Sequence, residues 1–387
     1  MQKNLLFSWI LFIFFACSLL CEGSPELRGV WILPRSGNQI WSKEQIADAM
    51  KMAASHNFNT VYFNVWSRGW PLWRSDAFHE ETGFYTEPAA KERDILQEAI
   101  AEAKKNGLMI EAWLEYGFVA WWSGYNLAGF PKGPLFARHP EWLAKNSKGS
   151  DQFPSGHVGT FYWLNHNHPD VHQFLIGLCQ EMALKYEITG IELDRIRYPC
   201  LDCGYDEYTV ELYKQEHNGQ LPPSDPANTQ WKRWRANKLT AFQSAAYDAI
   251  KAIHPRLIVS NAPSHYSSGD SYPAYENFLQ DWRSWLNLKK LDVAQVQMYV
   301  RPEDLKGYIP SALRGIEQHA IHKVFVGIAS KTSSFTLTGE ETIELIRTVR
   351  NSGLKGNSFW YYDDLLKLGY FPIIRQKAYV SKVPVPF

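Results

Sequence analysis

What most constrains this chain is a strand-then-helix alternation that repeats eight times. Candidate strands lie at Leu27–Leu33, Thr60–Trp66, Met109–Tyr116, Gly190–Arg195, Leu257–Ala262, Asp292–Tyr299, Val324–Ser330 and Ser358–Tyr362. Amphipathic stretches lie between them. Lys43–His56 follows Ser42, a good N-cap. Glu92–Asn106 stops at Gly107, Thr229–Ile253 stops before His254-Pro255, and Thr342–Asn351 stops near Gly353. Val171–Tyr186 precedes the fourth strand. Eight β–α units predict an α/β fold, a (β/α)₈ TIM-like barrel. A doubly wound open sheet is the alternative, but Leu33-Pro34-Arg35-Ser36-Gly37 is not its glycine-rich phosphate turn.

The chain has 387 residues, more than the roughly 250 of a minimal barrel. The excess falls after the third strand (Phe118–Asn167) and after the fourth (Pro199–Asn228). Both segments leave C-terminal strand ends, where barrel enzymes keep their sites. One domain is expected over residues 24–379, with 380–387 as an extended tail.

Residues 1–23 read as an export signal. Lys3 is the charged start and Leu5–Leu20 is almost wholly apolar, short for a membrane span. Cleavage after Gly23 would release the chain. Phe14-Phe15-Ala16-Cys17 would instead acylate Cys17. The expected location is exported: periplasm, cell envelope or secreted, with the membrane reached only through a lipid on Cys17. Lys plus Arg equals Asp plus Glu, 40 each. That balance argues against a nucleic-acid partner. Cys179, Cys200 and Cys203 remain after the signal, and Cys200 with Cys203 suits a small local disulfide ahead of a metal site, a reduced pair being the third alternative.

Alternation along each strand sends every second side chain into the barrel. With Ile191 and Leu193 facing the helices, Glu192 and Asp194 point inward, about 6.6 Å apart along the strand. The third strand sends in Glu111, Trp113 and Glu115; the second Asn64 and Trp66; the sixth Gln295, Gln297 and Tyr299. Arg28, Ser260, Trp360 and Tyr362 complete the set. Barrel interiors are normally Val, Ile and Leu, and buried charges need partners. Arg28, Glu111 and Glu192 lie deep and are expected to form an ion-paired support. Glu115, Asp194, Tyr299 and Trp66 lie at the rim.

Two rim carboxylates beside aromatic walls suit cleavage of a glycosidic bond, one protonating the leaving oxygen and the other attacking the sugar or activating water. Asp194 is the first catalytic candidate. Glu115 is the acid, raised by its apolar neighbours. Glu192, directly below Asp194, is the third. Aromatic residues make up 15% of the chain. Trp66, Trp70 and Trp73 cluster after the second strand, and Trp121, Trp122, Phe161, Tyr162 and Trp163 in the third loop. Flat rings pack on the C–H faces of sugars. The substrate-binding candidates are Trp66, Trp113, Arg197, Tyr198, Gln297, Tyr299 and Trp360, with Arg28 and Glu111 as structural support. His157, His166 and His168 lie close together without metal-ligand spacing, and no metal or other cofactor is expected.

The chain resembles the glycosyl-hydrolase-like 10 family of exported bacterial proteins. The resemblance is carried by LRGVWI at Leu27–Ile32, NTVYFNVWSRG at Asn59–Gly69, GLMIEAWLEYG at Gly107–Gly117 and TGIELDRIRYP at Thr189–Pro199. LDVAQVQMY at Leu291–Tyr299 and VFVGIAS at Val324–Ser330 extend it. It implies a barrel glycosidase, some relatives being directed at cell-wall glycan strands. Asp194 matches the first Asp of the family's fourth-strand pair, and Arg195 stands in place of the second. Where relatives read His-Ala-Trp and then Asn two residues on, this chain reads Glu111-Ala112-Trp113 and then Glu115. The expected function is hydrolysis of a polysaccharide, peptidoglycan glycan first. The alternatives are a catalytically inactive glycan-binding barrel of the envelope and a lipid-anchored envelope scaffold.

Overall fold

The computed structural model of the chain describes residues 23–125, 129–155, 159–265, 267 and 269–387. All of the expected export signal except Gly23 lies outside them, Cys17 included, as does His157. Eight strands form the barrel: β1 (Leu27–Ile32), β2 (Thr60–Asn64), β3 (Met109–Leu114), β4 (Gly190–Leu193), β5 (Ile258–Asn261), β6 (Val293–Gln297), β7 (Val324–Ala329) and β8 (Gly356–Trp360). All pair in parallel and in sequential order, and β8 closes on β1. The long helices between them are α1 (Lys43–Ser55), α2 (Ile95–Lys105), α3 (Pro169–Lys185), α4 (Thr229–Ile253), α5 (Pro302–Leu313) and α6 (Gly339–Asn351). Capping boxes start α1 (Ser42 with Gln45) and α6 (Thr338 with Glu341), as their sequences predict.

Outward strand residues such as Val61, Ile110, Leu114 and Ile191 join the helix faces in one large apolar cluster. The interior is layered differently. Leu27, Val293 and Phe325 plug the N-terminal end. A polar middle follows, where Gln295 donates to the Tyr62 hydroxyl and accepts from Ser358, and Ser260 donates to Glu111. Above it lie Trp31, Tyr62 and Trp113 with Trp360 against them. Gly190 belongs to this packing: a Cβ there would sit 2.8 Å from the Glu111 carboxyl carbon, so only glycine leaves the acid room.

In β1 the interior assignment changes. β1 sends Gly29 and Trp31 inward and Arg28 outward. Arg28 pairs with Glu26 at 2.7 Å, donates to the Ser381 carbonyl and covers the Tyr379 ring. Burial pushes the Glu26 carboxyl up, but Arg350 and Arg28 together bring it below its ordinary value. Arg28 therefore secures the tail at the N-terminal end and supports nothing at the site. Its parity follows from Val30 and Ile32, which must join the helix layer. Past Ser381 the tail is extended, with Pro384 accepting from the Glu26 N–H at 3.0 Å. Among the described residues no helix is long and apolar enough to cross a membrane.

The local disulfide is not formed. Cys200 is exposed and Cys203 buried, both as free thiols, and Cys179 is buried in α3.

Candidate active site

The catalytic candidates come from the C-terminal ends of two neighbouring strands. β3 and β4 run in register with Glu192 beside Trp113 and Leu193 beside Leu114. One more step places Asp194 alongside Glu115, about 4.8 Å away across the sheet at the level of the backbone. Both carboxylates are nearly buried, Asp194 6% exposed and Glu115 7%.

Asp194 is held on every side. Its Oδ2 accepts from Trp113 Nε1 at 3.3 Å and its Oδ1 from the Arg195 backbone N–H at 2.6 Å. Asn261 donates to the Leu193 carbonyl one residue earlier. Arg195 is left-handed at φ +49°, a conformation that costs a non-glycine residue about 1–2 kcal/mol. It is maintained beside Gly117, where a Cβ would sit 2.1 Å from the Asp194 carbonyl oxygen. Such strain persists only where the surroundings over-determine it. Burial pushes the Asp194 carboxyl above its ordinary value, while the charges of Arg197 and Arg195 and both N–H donors work against that rise.

Glu115 accepts from Asn64 Nδ2 at 3.0 Å and pairs with Arg195 at 3.3 Å. Burial again raises its pKa. Arg195, Arg68 and Arg35 pull it back, and the charge of Asp194 pushes it further up. The two carboxyls are thus coupled.

The expected ion-paired support beneath them does not exist. Glu111 and Glu192 are fully buried, and no cation pairs with either among the described residues. Glu111 is instead pushed up to about 8 by burial, opposed by the Ser260 hydroxyl and assisted by the charge of Asp292. Glu192 lies well above its ordinary range for the same reason, with the charges of Asp194 and Glu111 adding to the rise. Its Oε2 accepts from Trp31 Nε1 at 2.6 Å. A proton on such an acid avoids the cost of a buried charge, and burial shifts both acids in that direction. Glu192 is fully buried and does not reach the open mouth.

Most of the expected aromatic wall is a packed layer. Trp66 is fully buried against Phe78 and Phe174, because β2 ends at Asn64 and Trp66–Ser67 turns away to pair with Trp70–Pro71. Trp70, Trp73, Trp121 and Trp163 are buried as well. Trp113 has no exposed face and serves Asp194 through its N–H. Tyr198 is fully buried, stacked on His166 at 3.9 Å with its hydroxyl near Asn167. Tyr362 packs outside the barrel with Trp41 and Phe371, since β8 ends at Trp360. The rings that do open on the mouth are Tyr299 and Trp360, stacked at 6.0 Å, with Tyr361 beside them. Gln297 is half-buried and donates to the Ala262 carbonyl, and Arg197 donates to Ser264 at 2.8 Å.

Burial drives the His166 imidazole down to about 3, so it is neutral, and His168 caps α3. Among the described residues no group of three metal-ligating side chains lies together.

Sequence reading missed three contributors. Trp31 was hidden by the wrong parity of β1, although Val30 and Ile32 carried the signal. The buried bidentate pair of Arg35 with Glu87, which also accepts from Tyr125, lies in loops without periodicity. Arg68 donates to Asn38 and the Gly37 carbonyl and covers the Trp122 ring.

The sequence matches the glycosyl hydrolase-like 10 family over residues 26–330. No individually curated protein matches it. Among solved structures it is similar to the PgaB (BpsB) glycoside hydrolase domain from Bordetella bronchiseptica, with a TM-score of 0.68 at 11% identity, covering 91% of this chain and 98% of that one. The catalytic domain of a β-amylase from Paenibacillus polymyxa gives 0.64 at 10% identity, over 94% and 100% of the two chains. At such identities the likeness establishes the barrel fold alone.

Proposed function

The chain belongs to the glycosyl hydrolase-like 10 family and is a carbohydrate-active barrel; on that premise we propose that it is a glycoside hydrolase whose two working carboxyls are Asp194 and Glu115. The observation that carries this reading is the coupling of two buried rim carboxyls on neighbouring strands. Burial raises both, Arg195 acts on both, and the charge of Asp194 raises Glu115 further. Two such acids at one mouth can divide the work. Glu115 keeps the proton and delivers it to the leaving oxygen. Asp194 stays a carboxylate and meets the positive charge that develops at the anomeric carbon, by attacking it or by drawing a proton from water. Glu192 lies below Asp194, whose charge helps to raise it, and has no path to the sugar.

Trp360 and Tyr299 offer the sugar a stacking surface. Trp360→Ala is expected to raise KM about tenfold with little change in kcat, the size expected for losing one buried ring face. Steady-state kinetics on a soluble oligosaccharide check it, and an unchanged KM removes Trp360 from the binding surface.

The substrate we propose is peptidoglycan glycan, in line with the relatives that the sequence resembles. Export to the envelope belongs to the same reading and is supported by the apolar run Leu5–Leu20. The test is incubation of residues 24–387 with purified sacculi and mass spectrometry of the soluble products. Sugar fragments from the wild type support a cell-wall glycosidase. One observation favours a second reading, a barrel that binds glycan without cutting it: Arg195 pairs with Glu115, and a cation beside an acid opposes its protonation. Retained binding to sacculi with no fragments would select that reading.

A further inference from the structure

Asn64 is the last residue of β2, pairs in register with Trp113 of β3 and is fully buried. Only one end of its carboxamide is used. Nδ2 donates to Glu115 Oε2 at 3.0 Å, whereas Oδ1 is buried with no hydrogen-bond partner among the described residues. A buried acceptor left unpaired is destabilising, so its place beside a rim carboxyl points to a second arrangement. The other Glu115 oxygen, Oε1, faces Arg195 Nη2 at 3.3 Å. A cation keeps a proton off the oxygen it faces, so a proton on Glu115 rides on Oε2. That is the oxygen Asn64 addresses.

As it stands, the amide suits the ionised acid, because a carboxylate only accepts. A protonated Oε2 carries an O–H and needs an acceptor instead. A half-turn of the carboxamide puts Oδ1 where Nδ2 was, in the same space, because its two ends are nearly equal in shape and the terminal torsion is soft. The turned amide accepts from Oε2, and the unpaired oxygen gains its partner. The donors to Asp194 cannot do this: the Trp113 indole N–H and the Arg195 backbone N–H only donate. The Arg195 guanidinium on Glu115 is likewise only a donor. The Asn64 contact differs from these in serving either protonation state. On the glycosidase reading above, we propose that Asn64 is a positioning residue for the proton of Glu115: its amide accepts while the acid holds the proton and turns to donate once the proton has passed to the leaving oxygen. In that step the pair of the broken sugar C–O bond stays with the leaving oxygen, which takes the proton. The pair of the broken O–H bond stays on Oε2, where the Nδ2–H then meets the carboxylate.

The test reads the amide itself and needs no turnover. The protein is prepared with isotope-labelled side-chain amides of asparagine and side-chain carboxyls of glutamate, and both are followed by NMR as pH is varied. Loss of a signal in Asn64→Ser or Asn64→Asp, whichever folds, identifies Asn64, and Glu115→Gln identifies Glu115. The charged or titratable groups that act on Glu115 are Arg195, Asp194, Arg68, Arg35 and Tyr116. The carbonyl carbon and the amide nitrogen of Asn64 are expected to shift together, with the same midpoint as the Glu115 carboxyl. Glu115→Gln should abolish that shift. Asp194→Asn should move it to lower pH, because the charge that raises Glu115 is gone. Asn64 signals that stay fixed while Glu115 titrates, or that still shift in Glu115→Gln, would overturn the proposal. A shared midpoint in a protein that never releases sugar would instead sink only the glycosidase reading.

Discussion

Asp194→Asn is expected to lower kcat by at least about a thousandfold, near 4 kcal/mol of lost transition-state stabilisation. Asparagine keeps one oxygen, enough for the Arg195 backbone N–H, and gives up only the longer contact from Trp113, so the fold and the affinity for glycan should persist. What is lost is the charge that meets the anomeric carbon. Glu115→Gln should behave differently. Loss of a general acid costs about 10²–10⁴-fold on a natural glycoside, yet little on an aryl glycoside whose leaving group needs no proton. Kinetics of both variants on both substrates check the assignment. If Asp194→Asn recovers on the activated substrate and Glu115→Gln does not, the two roles are reversed.

The second large effect concerns stability against pH. The Glu111 carboxyl rises from 4.5 to about 8 in the folded chain. Between those values the folded protein holds a proton that the unfolded chain has released. Stability is therefore full below the lower value and falls as pH rises through the window, by about 1.4 kcal/mol per pH unit at its steepest. Glu192 is raised in the same direction and adds to the slope. Glu111→Gln, which imitates the protonated acid, should match the wild type near pH 5 and be the more stable protein near pH 8. Denaturant unfolding at a series of pH values measures this. Parallel curves for the two proteins would mean that Glu111 is ionised when buried.

The legible part of this protein was whatever a period of two or 3.6 could encode. All eight barrel strands lie where alternation and apolar runs place them, and Thr229–Ile253 is α4 to the residue. Glu111, Trp113, Glu115, Glu192 and Asp194 face inward because their neighbours Ile110, Ala112, Leu114, Ile191 and Leu193 had to face the helices. Parity failed where it had two plausible solutions, as in β1. It also failed where the strand had already ended. Trp66 and Tyr362 follow turns at which the alternation stops, so counting onward by twos sends them to the wrong side.

By itself the sequence determined the barrel, its order and the two strands that bring acids to its mouth, because those depend on local periodicity and on neighbours in the chain. Only the tertiary structure decided what acts on each acid. Glu111 and Asp194 are both inward-facing carboxylic acids of neighbouring strands, but one faces a serine in a closed interior and the other two arginines and two N–H donors at the rim. Ionisation depends on what surrounds a group in space, and residues as far apart as Ser260 and Glu111, or Trp31 and Glu192, meet only when the barrel closes.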